Sequence, residues 1–236
     1  ARLWSRKMSV DKKVKDKNSI FIIATVIVCC ALMAVADGVL RLPYAAKSAV
    51  KIVLFFLVPI VYLKTQKISV LEYIKPTRRS VFFGLTLGFA TFGVILGGYT
   101  MLRPFLDLSA VPAALAGNAG VTHDNFVYVS VYISLCNSLL EEFFFRCFAF
   151  LLLKKFTSFK FALLFSSAAF ALYHVAIMGG WFAPWLFILI VAALFLCGLL
   201  FDLLDIKSER IWVSWLLHLF ANLGINTIGM RLLEII

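Results

Sequence analysis

The chain is 236 residues long and 63% hydrophobic, with a mean hydropathy of +0.99 and a formal net charge of +11. A soluble domain is about 45–50% apolar, so this composition excludes a water-soluble globular domain and indicates an all-α polytopic membrane protein, one membrane domain filling the whole length. The positive charge does not indicate nucleic acid as a partner, because the basic residues lie mostly between apolar segments and in the N-terminal tail, where membrane topology places them.

In chain order, residues 1–19 read as a basic cytosolic tail, expected to be partly disordered, with Met8 as a native start and Ala1 to Lys7 as an artificial, non-native extension. Residues 20–125 hold the N-terminal membrane helices and an outer loop, and residues 126–236 a membrane core. Seven apolar segments run roughly over 20–37, 47–63, 80–102, 126–153, 160–178, 182–202 and 211–232, close to the 17–25 residues that cross about 30 Å of hydrocarbon. The first ends in Ala34-Val35-Ala36, which resembles a signal-peptidase site but is read as part of a retained span, irregular where Asp37 and Gly38 follow. Gly84/Gly88 and Gly93/Gly97 have the spacing that lets membrane helices approach closely. The outer connection 103–125, with Pro104, Pro112, Gly117 and Gly120, reads as a solvated loop, and so does its His123-Asp124 pair. Trp181, Trp185, Trp212 and Trp215 sit near span ends, where interfacial anchoring is expected. The five cysteines (Cys29, Cys30, Cys136, Cys147, Cys197) form no Cys-x-x-Cys pair and read as buried small hydrophobes.

The distribution of Lys and Arg predicts orientation. With the N-terminus cytoplasmic, 17 fall on inner segments and 5 on outer ones, among them Arg41, Lys47 and Lys51 of the first outer connection; Arg146 is the last of the 23. That asymmetry favours about seven spans with the N-terminus inside.

Ionisable groups inside a span are expensive and need a reason. Three polar patterns interrupt the apolar segments: Glu141-Glu142-Phe143-Phe144-Phe145-Arg146, Phe170-Ala171-Leu172-Tyr173-His174 and His218-Leu219-Phe220-Ala221-Asn222. Glu141 lies 13 residues from Lys154, His174 lies 14 from Lys160 and Asn222 lies 12 from Arg210. At 1.5 Å per residue these are roughly 20, 21 and 18 Å from the inner edge, so three helices bring polar groups to a similar depth. Glu142 and Arg146 are i and i+4, the order that favours an ion pair. Glu141 points about 100° away and is expected to be the carboxylate left free for chemistry. A carboxylate beside a histidine polarises a water, and a second histidine with an asparagine amide donates to a developing oxyanion. The set suits hydrolysis of an amide bond. No serine or cysteine is placed as a nucleophile; Cys147 and Ser138 are expected to pack between helices. No cofactor is expected. Glu141, His174 and His218 form a donor set for zinc as the alternative, without a His-Glu-x-x-His motif. A transport or proton relay is a third use of the same buried charges.

The three patterns, in this order, resemble the CAAX-protease and bacteriocin-processing family (CPBP or Abi), whose hallmarks are Glu-Glu-x-x-x-Arg, Phe-x-x-x-His and His-x-x-x-Asn; the likeness covers roughly residues 126–225. The resemblance implies an intramembrane endopeptidase of the glutamic type. In it Glu141 and His174 activate the water, His218 and Asn222 stabilise the oxyanion, and Glu142 and Arg146 support the site. It implies a peptide or lipidated protein as substrate and the lipid bilayer as surroundings. The short chain looks like a bacterial member, expected in the bacterial cell membrane. Its alternative is a non-catalytic self-immunity or scaffold protein on the same fold.

Overall fold

The computed structural model describes the backbone of residues 2–236 and the side chains of residues 15–117 and 120–236; Ala1, the first residue of the expected non-native extension, lies outside the described residues. Every regular element among the described residues is helical. The first helix, α1 (Arg2–Ala34), runs through the basic tail, which is therefore not the irregular segment expected. Neither proline nor glycine occurs before Gly38, so a helix already formed in the apolar stretch can propagate backwards through Lys and Arg. The irregularity expected at Asp37-Gly38 is a π-helical turn, Val35–Val39.

Helix α2 (Tyr44–Lys51), a π-helical stretch (Ile52–Leu57) and α3 (Val58–Thr65) form one continuous run, followed by the short α4 (Leu71–Ile74). A reciprocal cap opens α5 (Arg78–Leu102): Ser80 N donates to Thr77 Oγ1 and Thr77 N to Ser80 Oγ, each at 3.1 Å. The outer connection contains a helix that its composition hid, α6 (Ala110–Ala119), closed by Gly120 at φ 62°. The next run is α7 (Phe126–Tyr132), a π-helical stretch (Ile133–Asn137), α8 (Ser138–Glu141) and a second π-helical stretch (Glu142–Leu152). Ser158 caps α9 (Phe159–Ile177) by accepting from Phe161 N at 3.2 Å. Pro184 occupies the first turn of α10 (Pro184–Asp205), and α11 (Trp212–Leu232) ends the chain.

Five helical runs are long and apolar enough to cross a membrane: Lys15–Val39, Tyr44–Thr65, Arg78–Phe105, Phe159–Ile177 and Pro184–Asp205. The protein is thus an all-helical, multi-pass membrane protein. The other two expected segments, 126–153 and 211–232, are also helical but are not among the five. Glu141, Glu142 and Arg146 lower the apolarity of the first, and His218, Asn222 and Asn226 that of the second.

Residues Phe143 to Leu153 are all buried, as expected of a helix that is apolar on every side except at Arg146. Around them lies an aromatic core in which Phe55 stacks on Phe144 with ring centroids 4.0 Å apart, and Phe145 packs edge-on against Phe170 at 5.4 Å. Glycines set the closest helix approaches. A Cβ on Gly84 would meet Leu216 and one on Gly88 would meet Phe220, both on α11, whereas Gly93 and Gly97 have nothing within 4 Å. Of the two small-residue pairs, only the first lies at a helix contact. On α10, Gly198 abuts the backbone of Ser167 on α9.

Trp212 and Trp215 are hydrogen-bonded within the bundle: Trp212 Nε1 donates to the Ile74 carbonyl at 2.5 Å and Trp215 Nε1 to Ser138 Oγ at 3.1 Å. Cys29 and Cys147 are buried as expected, but Cys136 and Cys197 are exposed on helix surfaces, where lipid tolerates a weakly polar thiol. His123 and Asp124 are exposed, with Nδ1 and Oδ1 3.3 Å apart.

Gly198→Ala is expected to cost about 1–3 kcal/mol, because the colliding atoms are backbone and the helices must separate. Gly93→Ala, which meets nothing, is expected to be neutral or to gain up to about 1 kcal/mol. Thermal unfolding of the detergent-solubilised protein measures both.

Candidate active site

The chain leaves α8 and enters the π-helical stretch between Glu141 and Glu142. Such i→i+5 turns are uncommon and often occur at functional sites. From this junction two adjacent carboxylates are aimed at different partners. Glu142 Oε2 accepts from Arg146 Nε at 3.1 Å, the i,i+4 pair expected from sequence, and Glu142 Oε1 lies 2.8 Å from His218 Nδ1 of α11. Glu141 Oε2 lies 3.7 Å from His218 Nε2 and 3.8 Å from His174 Nε2 of α9. Five of the six expected residues are therefore brought together. Glu141, Glu142, Arg146 and His218 are buried, and His174 is the most accessible of them.

Glu141 is not the free carboxylate that its helical angle suggested. Its Oε1 accepts from Lys51 Nζ at 2.5 Å and from Asn137 Nδ2 at 2.9 Å. Helical geometry gave its direction correctly but said nothing of what another helix brings to it. Asn222 is not hydrogen-bonded to Glu141, His174 or His218; its Nδ2 donates to the Ile133 carbonyl at 3.3 Å.

Behind Arg146 the polar set continues into α10. Arg146 Nη1 lies 3.7 Å from Asp202 Oδ1, and Ser166 Oγ is 3.5 Å from that Nη1 and 3.3 Å from that Oδ1. Ser167 Oγ is 3.2 Å from Asp202 Oδ2. One turn further, Ser214 Oγ donates to Asp205 Oδ2 at 2.6 Å. The guanidinium also lies over the Phe170 ring, 4.4 Å from its centroid. Among the nitrogens of the Arg146 guanidinium, Nη2 has no hydrogen-bond partner among the described residues.

Carboxylate and carbonyl oxygens only accept, which fixes the histidines. His218 Nδ1 faces Glu142, and His174 Nδ1 faces the Phe170 carbonyl at 2.7 Å, so each Nδ1 carries its proton. Both Nε2 atoms are left to face Glu141 Oε2. Separations of 3.7–3.8 Å exceed a direct hydrogen bond but suit a shared water between carboxylate and imidazole.

The zinc alternative does not fit this donor set. Among the described residues no group of three or more His, Cys, Asp and Glu side chains is arranged for a metal ion. The Lys51 ammonium already places a positive charge on the carboxylate that a dication would need.

Sequence reading missed Lys51, Asn137, Asp202 and Asp205. The signal was there for three of them. Lys51 falls within the apolar segment 47–63, and Asp202 and Asp205 close an otherwise uncharged α10. The rule that drew attention to Glu141 applies equally to them.

Residues 123–224 match the family model described as type II CAAX prenyl endopeptidase Rce1-like. This segment is an Rce1-like domain. Its family is one of hydrolases, and the buried cluster of Glu141, Glu142, His174 and His218 is consistent with an active site of that family. No curated protein and no solved structure matches the chain. The Rce1-like domain takes in α7 to α10 and most of α11, and with them every residue described above except Lys51.

Arg146→Met leaves Glu142 and Asp202 without their cation. It is expected to destabilise the fold by about 3–5 kcal/mol, the usual cost of removing one partner from a buried pair. Thermal unfolding in detergent checks this, with Arg146→Lys recovering part of the loss.

Proposed function

We propose that the protein is an intramembrane endopeptidase of the glutamic type that hydrolyses a peptide bond of a membrane-associated or lipidated peptide or protein. The observation that carries this reading is the convergence of Glu141 Oε2 with the Nε2 atoms of His174 and His218, delivered by three separate helices. In this mechanism a water lies between Glu141 and His174. Glu141 takes a proton as the oxygen attacks the carbonyl carbon, and His174 orients the water through its Nε2 lone pair. The tetrahedral oxyanion is met by His218 and by the amide of Asn222; when it collapses the C–N bond breaks, and the proton held by Glu141 passes to the leaving amine nitrogen. Because His218 Nδ1–H is committed to Glu142, an oxyanion-donating His218 carries a second proton on Nε2, with Glu142 as its countercharge. Asn222 Nδ2 has a second hydrogen beyond the one given to Ile133. Glu142 and Arg146 hold this arrangement from behind. The family description makes a prenylated CAAX protein the natural substrate class.

The reading includes seven spans with the N-terminus cytoplasmic, 126–153 and 211–232 crossing inside the bundle. Two features support it. Lys47 pairs with Asp37 at 3.1 Å and Lys51 with Glu141, so two of the three positive charges counted on the first outer connection are compensated within the bundle. Lys51 also lies 13 residues from Lys64, roughly 20 Å from the inner edge, the depth assigned to Glu141.

Purified protein in nanodiscs, incubated with lipidated and unlipidated peptides and read by mass spectrometry, is expected to yield defined fragments. Glu141→Gln should lower kcat by about 10²–10⁴-fold, the usual contribution of a general base, with the fold retained. A chelator is expected to leave cleavage unchanged. Cleavage lost to the chelator and restored by zinc would sink the glutamic mechanism. Partner binding that persists in Glu141→Gln, with no cleavage by the unaltered protein, would favour the scaffold reading.

A further inference from the structure

We infer that Lys51 and Asn137 are positioning residues that assign different tasks to the two oxygens of Glu141, Oε1 being the anchored oxygen and Oε2 the working one. The inference rests on the protease reading and adds to it a residue outside the matched segment.

The three side chains close a small ring. Lys51 Nζ donates to Glu141 Oε1 and to Asn137 Oδ1, each at 2.5 Å, and Asn137 Nδ2 donates to the same Glu141 Oε1 at 2.9 Å. Only one orientation of the Asn137 amide satisfies both of its contacts, since its oxygen must face the ammonium and its nitrogen the carboxylate. Oε1 thus receives two donors, which fills its lone pairs. Oε2 receives neither of them and faces His174 and His218. Glu142, the other acid nearby, is turned towards Arg146 and His218. The carboxylate is therefore fixed in rotation by its back oxygen, leaving its front oxygen towards the imidazoles.

The ammonium has a built seat. Lys51 is 4% exposed, and its Nζ lies 4.9 Å from the Tyr173 ring centroid and 5.4 Å from that of Phe55. Two acceptors and two aromatic faces make a desolvated lysine tolerable. Tyr173 precedes His174 on α9, so the helix that delivers the histidine also receives the lysine. A lysine serving only as a countercharge needs no contact with Asn137. The ring through Asn137, on the same helical run as Glu141, is what confers direction.

The test uses the full chain in nanodiscs. Lys51→Ala is expected to lower kcat by about 10²-fold, the cost of misplacing a reacting group by about 1 Å, with KM nearly unchanged because substrate contacts remain. Methylammonium or ethylammonium should restore much of the rate by refilling the seat, and Lys51→Arg should retain more activity than Lys51→Ala. Asn137→Leu should lower kcat in the same direction. Lys51→Met strands the buried Glu141 carboxylate, so it is paired with Glu141→Gln in a thermal-unfolding cycle. The double variant is expected to be more stable than Lys51→Met alone, since the stranded charge is gone. Wild-type kcat in folded Lys51→Ala, or a loss that no amine restores, overturns the inference. Additive stabilities in the cycle overturn the ion pair itself. If the unaltered chain cleaves no peptide while the cycle is non-additive, the protease reading falls and with it the working role of Oε2, whereas the anchoring of Oε1 is supported.

Discussion

Charges cannot stand alone in an apolar bundle, and the interior of this one is organised around that constraint. From α2 to α10 the buried ionisable groups form an almost continuous series: Lys51 on Glu141, His218 between Glu141 and Glu142, Arg146 between Glu142 and Asp202. Except for the Glu142–Arg146 pair, which lies within one helical run, each link joins separate helices that apolar contact alone would leave free to slide. The aromatic shell around Phe144 and Phe145 is buried, and a low-dielectric surrounding raises the cost of any unpaired member. Fold and site are therefore not separable layers here: the groups proposed to carry chemistry are also those that fix helix register.

The sequence revealed the helices well because membrane thickness and apolarity leave few choices. The expected segment 160–178 is found as Phe159–Ile177, and 211–232 as Trp212–Leu232. It showed less of the irregular parts. α6 was hidden by Pro112 and two glycines in what reads as a loop, and its closing turn at Gly120 is visible only in three dimensions. Within the site, the Glu142–Arg146 pair follows from local spacing alone. The pairing of Lys51 with Glu141 does not, because 90 residues separate them and no local pattern encodes the meeting. Counting Lys51 as a loop charge was a topological argument applied to a residue already inside its helix. For Asn222, helical spacing puts it on the face of His218, but the hydrogen bond from its amide to the Ile133 carbonyl, in a π-helical stretch, is one that spacing cannot foresee.

The matched segment 123–224 carries the histidines, both glutamates and Arg146, but the cation on Glu141 comes from α2. A family likeness confined to the C-terminal half therefore covers the buried cluster without the cation that neutralises it. The N-terminal helices contribute more than hydrophobic bulk: they bring Phe55 into the aromatic core and Lys51 onto the carboxylate.

The close approach of Gly198 to Ser167 gains a second meaning in this light. Ser167 also contacts Asp202, and Asp202 stands at the far end of the charge series from Lys51. The distance between α9 and α10 is thereby linked to how well Arg146 is neutralised, and through Arg146 to the posture of Glu142 and His218. A methyl group at position 198, which touches neither acid nor imidazole, would act on the site as a remote lever, so steric tolerance at that helix crossing and the tuning of the buried charges are governed by one variable.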